Sequence, residues 1–455
     1  GPQRPGSLHP AKKLHRKTES RNLSGNAVSV GFIMSEKQIT FAARQHQLTN
    51  INIWTADSQW LAFDVRPSGA SFTSQTIERV NVMTGEVEVL YQARHGAHVG
   101  VVTVSPDLPP RYVCIHGPEH PDASWQYDFH HRRGVIVQNG TAVNLDACDI
   151  TPPFTPGALR GGSHVHVFSP DGSRLSFTYN DHVMHELDSR LDLRNVGVGV
   201  PLCAVTPVKQ HPREYDGTFF CVLVSQTHAE PQPGSDQINR AYEECWVGER
   251  GYQKPDGSWQ RWAIAFIGDT VTAQGEKRPE VFIVDLPDAL EDYARAGEKP
   301  LEGSSQQLPA PPAGVQQRRL THSRGVALQP RHWLRAAPDG SQIAFLMADA
   351  GEVIQLWVVS PNGGEPRQIT HLSHSIQSAF SWHPEGQAIA FICDNSVMRC
   401  DIESGACQRL TGRTEEAPSG DAVVWSPDGT QIAYMREVNG WRQLFTVAAA
   451  TAQEA

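Results

Sequence analysis

A short phrase, Pro-Asp-Gly set between two apolar strands, recurs along this chain and limits what it can fold into. Clear copies are Ser169-Pro170-Asp171-Gly172, Ala337-Pro338-Asp339-Gly340 and Ser426-Pro427-Asp428-Gly429. Weaker ones centre on Asp57, Asp107, Asp216 and Glu385. In such a turn the Asp side chain bonds its own backbone and Gly accepts a positive φ. Neighbouring copies lie about 43 to 64 residues apart, the period of four-stranded propeller blades. Val, Ile, Phe and Trp at period two around each turn, as in Gln355-Leu-Trp-Val-Val359, are strand chemistry.

Registering the copies predicts an all-β, seven-bladed propeller with blades at about 50–93, 98–146, 164–207, 209–321, 332–370, 376–411 and 421–449. Eight blades is the alternative, because the fourth unit is oversized. Lys37-Gln-Ile-Thr-Phe41 copies the fourth-strand phrases Gln368-Ile-Thr370 and Arg319-Leu-Thr321. It is expected to complete the last blade and remove the open edges. Residues 34–455 then form one domain with insertions at about 228–262 and 287–317. In the first insertion, Ile238 to Trp246 reads as a short helix capped by Ser235 or Asp236. The second, rich in Pro, Gln, Gly and Ala, reads as a mobile surface loop. Residues 1–33 are basic and polar, and Met34 looks like a natural start. They read as a disordered or tag-derived leader, with a mitochondrial-type presequence as the alternative.

The net charge of −10 argues against nucleic acid, which needs clustered Lys and Arg. The sequence has no apolar run long enough to insert into a membrane. Eight cysteines are scattered without a CxxC pair, as expected of reduced thiols in a cytoplasmic protein.

The same register brings histidines together. Six and four residues before the turn stand His164 and His166 in blade three, Lys209 and His211 in blade four, and His332 and Leu334 in blade five. These positions begin the innermost strands, so His164, His166, His211 and His332 should converge at one mouth of the channel. His98, Arg160, Arg331, His374 and Gln377 belong to loops nearby. His164-Val-His166 puts two imidazoles on one strand face, where they would share a divalent metal or satisfy hydrogen bonds in a polar mouth. Glu243 and Glu244 would supply a carboxylate over this mouth, or form a solvated helix face. Trp246, with Trp259 and Trp262, would be a sugar-stacking platform or blade core. No nucleophile elbow, P-loop or dinucleotide fingerprint stands in a supporting context.

The phrases Phe168-Ser-Pro-Asp-Gly-Ser-Arg-Leu-Ser-Phe177 and Trp425-Ser-Pro-Asp-Gly-Thr-Gln-Ile-Ala-Tyr434 resemble the WD40-like repeats of TolB-type propellers. From Met34 onward the chain resembles the YidR family, through Tyr242-Glu-Glu-Cys-Trp-Val-Gly248, Glu280-Val-Phe-Ile-Val-Asp-Leu-Pro287 and Pro330-Arg-His-Trp-Leu334. More distantly it is similar to oligogalacturonate lyases, seven-bladed propellers with an HxH-containing manganese site. His164-Val-His166 would match that motif, though it lies in the third blade where the lyase motif lies in a late one.

Two functions follow as expectations. The first is a carbohydrate-active, metal-dependent lyase acting on acidic, uronate-containing oligosaccharides. His164, His166, His211 and His332 would hold the metal, manganese by resemblance. Arg160 or Arg331 would pair with a carboxylate, and His98 or His374 would be the base. Glu243, Glu244, Trp246 and Gln377 would touch substrate. The second is a non-catalytic TolB-like propeller that binds a protein or glycan partner through its loops.

Overall fold

A computed structural model describes residues 18–21, 27–30 and 33–449. Their strands form seven blades of antiparallel strands, as the repeat predicts. The helical content of these residues is one short α-helix, His182–Leu187, and two 3-10 turns. Glu36–Gln38 pairs with Trp441–Ala448 and closes blade seven with an N-terminal strand. Blade one has three regular strands; its innermost position is held by the bridges Trp54 to Leu61 and Gln47 to Asp64.

The repeat chemistry is visible in detail. Asp171 Oδ1 accepts from the Ser173 backbone N–H and the Ser169 hydroxyl. Asp428 does the same with Thr430 and Ser426. Phe63, Phe177, Phe266, Phe345 and Phe391 sit on the second strands of five blades, each fully buried. Burial of one such ring contributes about 1.5–3 kcal/mol. An indole latch recurs between neighbouring blades. Trp54, Trp246 and Trp382 donate Nε1–H to the carbonyls of Val424, Val167 and Arg335 on the preceding innermost strands, at 2.9–3.1 Å. Each latch satisfies an indole that would otherwise be buried without a partner.

Several expectations are corrected. Blade three runs to an outer strand at Phe220–Leu223, past the expected end at 207, and blade four starts at Ala241–Trp246. Asp216-Gly217 therefore does not open a blade; it lies in a loop where Gly217 bridges Val205 and Tyr215 bridges Cys148. The expected helix at Ile238–Trp246 contains the innermost strand of blade four. Its Glu243-Glu244 pair looks helical in sequence, yet the run is buried on all sides as a strand.

The 287–317 segment is anchored. Tyr293 and Leu301 are buried, and the Ser304 and Gln307 carbonyls accept from Arg160. Of the leader, Thr18–Arg21 and Ala27–Val30 are strands that extend the edge of blade six. The rest of the leader, at 1–17, 22–26 and 31–32, lies outside the described residues.

Candidate functional site

The innermost strands of blades two, three and four carry a bulge at one matched place. The register slips between Gly100 and Thr103, His164 and Val167, and Tyr242 and Cys245. The first residue inside each slip is left-handed: Val101 at φ 54°, Val165 at 51° and Glu243 at 52°. β-Branched residues rarely take that conformation, and bulges re-aim side chains beside functional sites. All three residues line one cavity of about 410 Å³ at the mouth of the ring.

Five arginines reach this cavity, one from each of blades one to five: Arg66, Arg132, Arg194, Arg240 and Arg331. The lining carboxylates are Glu243 and Asp421. Asp64 pairs with Arg66 at 2.7 Å, and Glu243 with Arg331 at 3.1 Å. Arg132 is different. It is buried and donates to the Tyr127 hydroxyl at 3.0 Å, while its Nε and Nη2 have no acceptor among the described residues. Arg194 donates to Asn180 Oδ1 at 3.2 Å and to His164 Nε2 at 3.0 Å. Burial first, then the Arg132 and Arg240 charges, push its guanidinium down to about 9. Cations crowded in a low-dielectric cavity with donors to spare form a receptor for an anion. The aromatic lining includes Phe72 stacked on Tyr127 at 4.0 Å and Trp333 under Arg331 at 4.5 Å.

His164 faces this cavity. Its Nδ1 lies 2.8 Å from the Thr178 hydroxyl. Burial, then the Arg132 and Arg194 charges, hold it well below the ordinary imidazole range. His164 is therefore neutral beside a row of cations.

The other expected residues are dispersed. His166 is sealed in the blade, with Nε2 on the Ser163 hydroxyl at 2.9 Å and Gly134 packed against its ring. Both nitrogens of His332 are used, Nδ1 on the Pro330 carbonyl and Nε2 by the Leu346 N–H. His211 accepts from the Arg213 N–H on the loop leading to Tyr215. Arg160 is buried, and each of its three nitrogens donates, to Asp181 or to the Ser304 and Gln307 carbonyls. Glu244 is also buried, accepting from the Ser176 hydroxyl at 2.6 Å, and burial raises its carboxyl to about 7. Trp246 is the latch to Val167, which leaves no ring face for a sugar. His98 lines a separate cavity with Asp122 and Tyr127. His374 is an exposed residue 3.9 Å from Asp394, and Gln377 braces Asn395 through both amide atoms. Arg331 and Glu243 are the expected residues that do meet at the mouth, with His164 beside them.

The mouth does not fit a divalent cation. Five arginines line it, the HxH pair is split between cavity and core, and His332 has no free lone pair. Among the described residues, metal-ligand geometry occurs instead at His130, His131 and His182, and at His130, His185 and Asp192. In each group one ligand atom per residue lies within 4.8 Å of the others. Sequence reasoning missed this cluster and four of the five arginines. The His130-His131 doublet and the His182/His185 spacing were local signals, since residues three apart share a helix face.

Fold and mouth together define a seven-bladed β-propeller with an arginine-lined pocket at the mouth of its ring. The chain is 60% identical over 410 residues to Uncharacterized protein YidR of Escherichia coli (strain K12), covering 89% of this chain and 96% of that protein, and it belongs to the YidR family. A family described as of unknown function, DUF3748, matches residues 98–215, the stretch that carries Val101, Arg132, His164 and Arg194.

Among solved structures, an oligogalacturonate lyase in complex with manganese is 12% identical, with a TM-score of 0.53 over 96% of this chain and 97% of that one. The oligogalacturonate lyase of Vibrio parahaemolyticus is 10% identical, with a TM-score of 0.51 over 97% and 98%. Likeness at that identity concerns the fold. Among the described residues, no helix is long and apolar enough to cross a membrane, and all eight cysteines are free, seven of them buried.

Proposed function

We propose that the mouth binds an acidic, uronate-bearing oligosaccharide and cleaves it by β-elimination. The observation that carries this reading is the convergence of Arg66, Arg132, Arg194, Arg240 and Arg331 on one cavity, with Arg132 lacking an anionic partner. The fold likeness to oligogalacturonate lyases supports the substrate class.

The carboxylate of the sugar would take the spare Nε and Nη2 donors of Arg132 and draw Arg194 to itself. Neutralising that carboxylate makes the adjacent C–H more acidic. Two effects then act on His164. Losing Arg194 leaves the Thr178 hydroxyl, 2.8 Å from Nδ1 and 3.0 Å from Nε2, as the one side-chain partner of the ring and opens Nε2 toward the cavity. The arriving negative charge cancels the arginine field that depresses its basicity. His164 removes the proton. The electron pair forms a C=C bond as the glycosidic C–O bond breaks, and the leaving oxygen is protonated through solvent. The base is thus switched on by its substrate.

Manganese, the ion that the lyase likeness would favour, finds no ligand set in this cavity, so the neutralising charge is assigned to arginine. The buried free thiols fit a reducing, cytoplasmic setting.

The test is incubation with uronate oligosaccharides, following the ultraviolet absorbance of the conjugated unsaturated product. Wild-type protein should generate it and His164→Ala should lose at least a hundredfold in rate. Binding without any double-bond formation would leave a non-catalytic glycan-binding propeller. An unchanged rate in His164→Ala would remove the base.

A further inference from the structure

The loop from His116 to Arg133 in blade two and the segment from Tyr179 to Asn195 in blade three meet beside the mouth. The first brings His130 and His131. The second brings His182 and His185 on one face of the short helix, and then Asp192. The His131 and His182 rings approach with Nε2 2.8 Å from Nδ1. His130 stacks on His185 with centroids 3.7 Å apart.

We infer that His130, His131 and His182, with His185 and Asp192 as the alternative partners of His130, form a first-row divalent metal site that clips these two loops together. Four imidazoles in mutual contact are an expensive way to fill space, since each carries two polar nitrogens. They are an economical way to hold a zinc-like ion, which prefers three or four N and O ligands.

The surroundings are those of a ligand set. His131 Nδ1 lies 2.9 Å from the Gln126 carbonyl, which fixes the proton there and leaves the Nε2 lone pair facing His182. Trp125 stacks on His131 at 3.7 Å and fixes its ring plane. Asp192 accepts at Oδ1 from the Asp181 N–H and Asn180, while Oδ2 stands 3.6 Å from His185 Nδ1. His130 and His131 are buried and His185 is partly exposed, so an ion has both a dry seat and an entry side. Three imidazoles select zinc, cobalt or nickel over magnesium or calcium.

The site also bears on the mouth. His131 directly precedes Arg132, and Asp192 stands two residues before Arg194. An ion bound here would hold in place Arg132 and Arg194, two of the three mouth arginines without a carboxylate partner; that consequence rests on the anion reading of the mouth, whereas the metal site does not.

The experiment is elemental analysis of protein purified without chelator, followed by titration of the stripped protein with Co²⁺ read by its visible absorption. About one equivalent is expected, with the intense bands of a tetrahedral, nitrogen-ligated ion. His182→Ala and His185→Ala should lose or weaken it, whereas His164→Ala should keep it. No bound ion and no cobalt spectrum in the wild type would overturn the site, as would full retention in both His182→Ala and His185→Ala. The wild-type titration does not depend on how the variants fold. Affinity for a uronate oligosaccharide, compared in stripped and loaded protein, is then a separate reading. An unchanged value would remove the link to the mouth and leave the metal site standing.

Discussion

Blades two to four and blades five to seven come from one repeat but have diverged in opposite directions. In blades five to seven the innermost strands are two residues long, Arg335–Ala336, Ser381–Trp382 and Val424–Trp425, and each runs straight into a tight acidic turn. In blades two to four they are six residues long and bulge at Val101, Val165 and Glu243. The regular half uses its sequence to close a ring. The bulged half accepts backbone strain and, in exchange, aims side chains into the cavity. The difference also appears in buried arginines. Arg160 is fully paired with Asp181, while Arg132 keeps donors that nothing in the fold uses.

That contrast is easiest to break at Arg160. Replacing it with Ala leaves Asp181 buried without its cation, and a loss of about 3–5 kcal/mol is expected in denaturant melts. A smaller loss would mean that the 287–317 segment relaxes to let water in.

Acidification is the next largest effect. Burial lowers His116 to about 4, His166 to about 3 and His332 to about 4. Each lies below its unfolded value of about 6.5, so its contribution is present above that pH and lost as pH falls. Asp146 and Glu244 act with the opposite sign, raised by burial to about 6 and about 7. Their proton uptake favours the folded state as pH falls toward 4.5 and offsets part of the loss. Denaturant midpoints should therefore decline steadily from about pH 6.5 to about pH 4 and level off below that, as the buried rings themselves protonate. A flat profile from pH 6.5 to 4 would contradict the burial of these rings.

Arg132→Met should behave unlike Arg160→Ala. Affinity for an acidic sugar should fall at least tenfold, while the melting midpoint stays level or rises, because an unpaired buried charge costs stability. A protein destabilised to the degree of Arg160→Ala would mean that Arg132 is structural. Smallest of all, Asp428→Ala in the regular half removes one turn acceptor. It should cost about 1 kcal/mol and leave sugar affinity untouched.

The regular half was the legible one. Its turns are local chemistry, so Asp339 and Asp428 mark blades without help from tertiary structure. The same locality misled at Asp216-Gly217, a turn of the right composition in a connecting loop. Glu243-Glu244 misled differently. Two carboxylates in sequence suggest a solvated helix, and only the bulge explains how one reaches the cavity while the other is buried. The arginines were not legible because no spacing links Arg66, Arg132, Arg194, Arg240 and Arg331; closure of the ring brings them together. The histidine register found His164 but assigned it to a metal, since sequence cannot report that its neighbours are cations.

The most direct test of the anion mouth is calorimetric titration of the wild-type protein with a uronate oligosaccharide and, in parallel, with the same oligosaccharide methyl-esterified at its carboxylates. Binding of the acid with an affinity that falls as salt is raised, and loss of binding for the ester, are the expected results. Equal affinity for both forms, or none for either, would contradict a site built to hold a carboxylate.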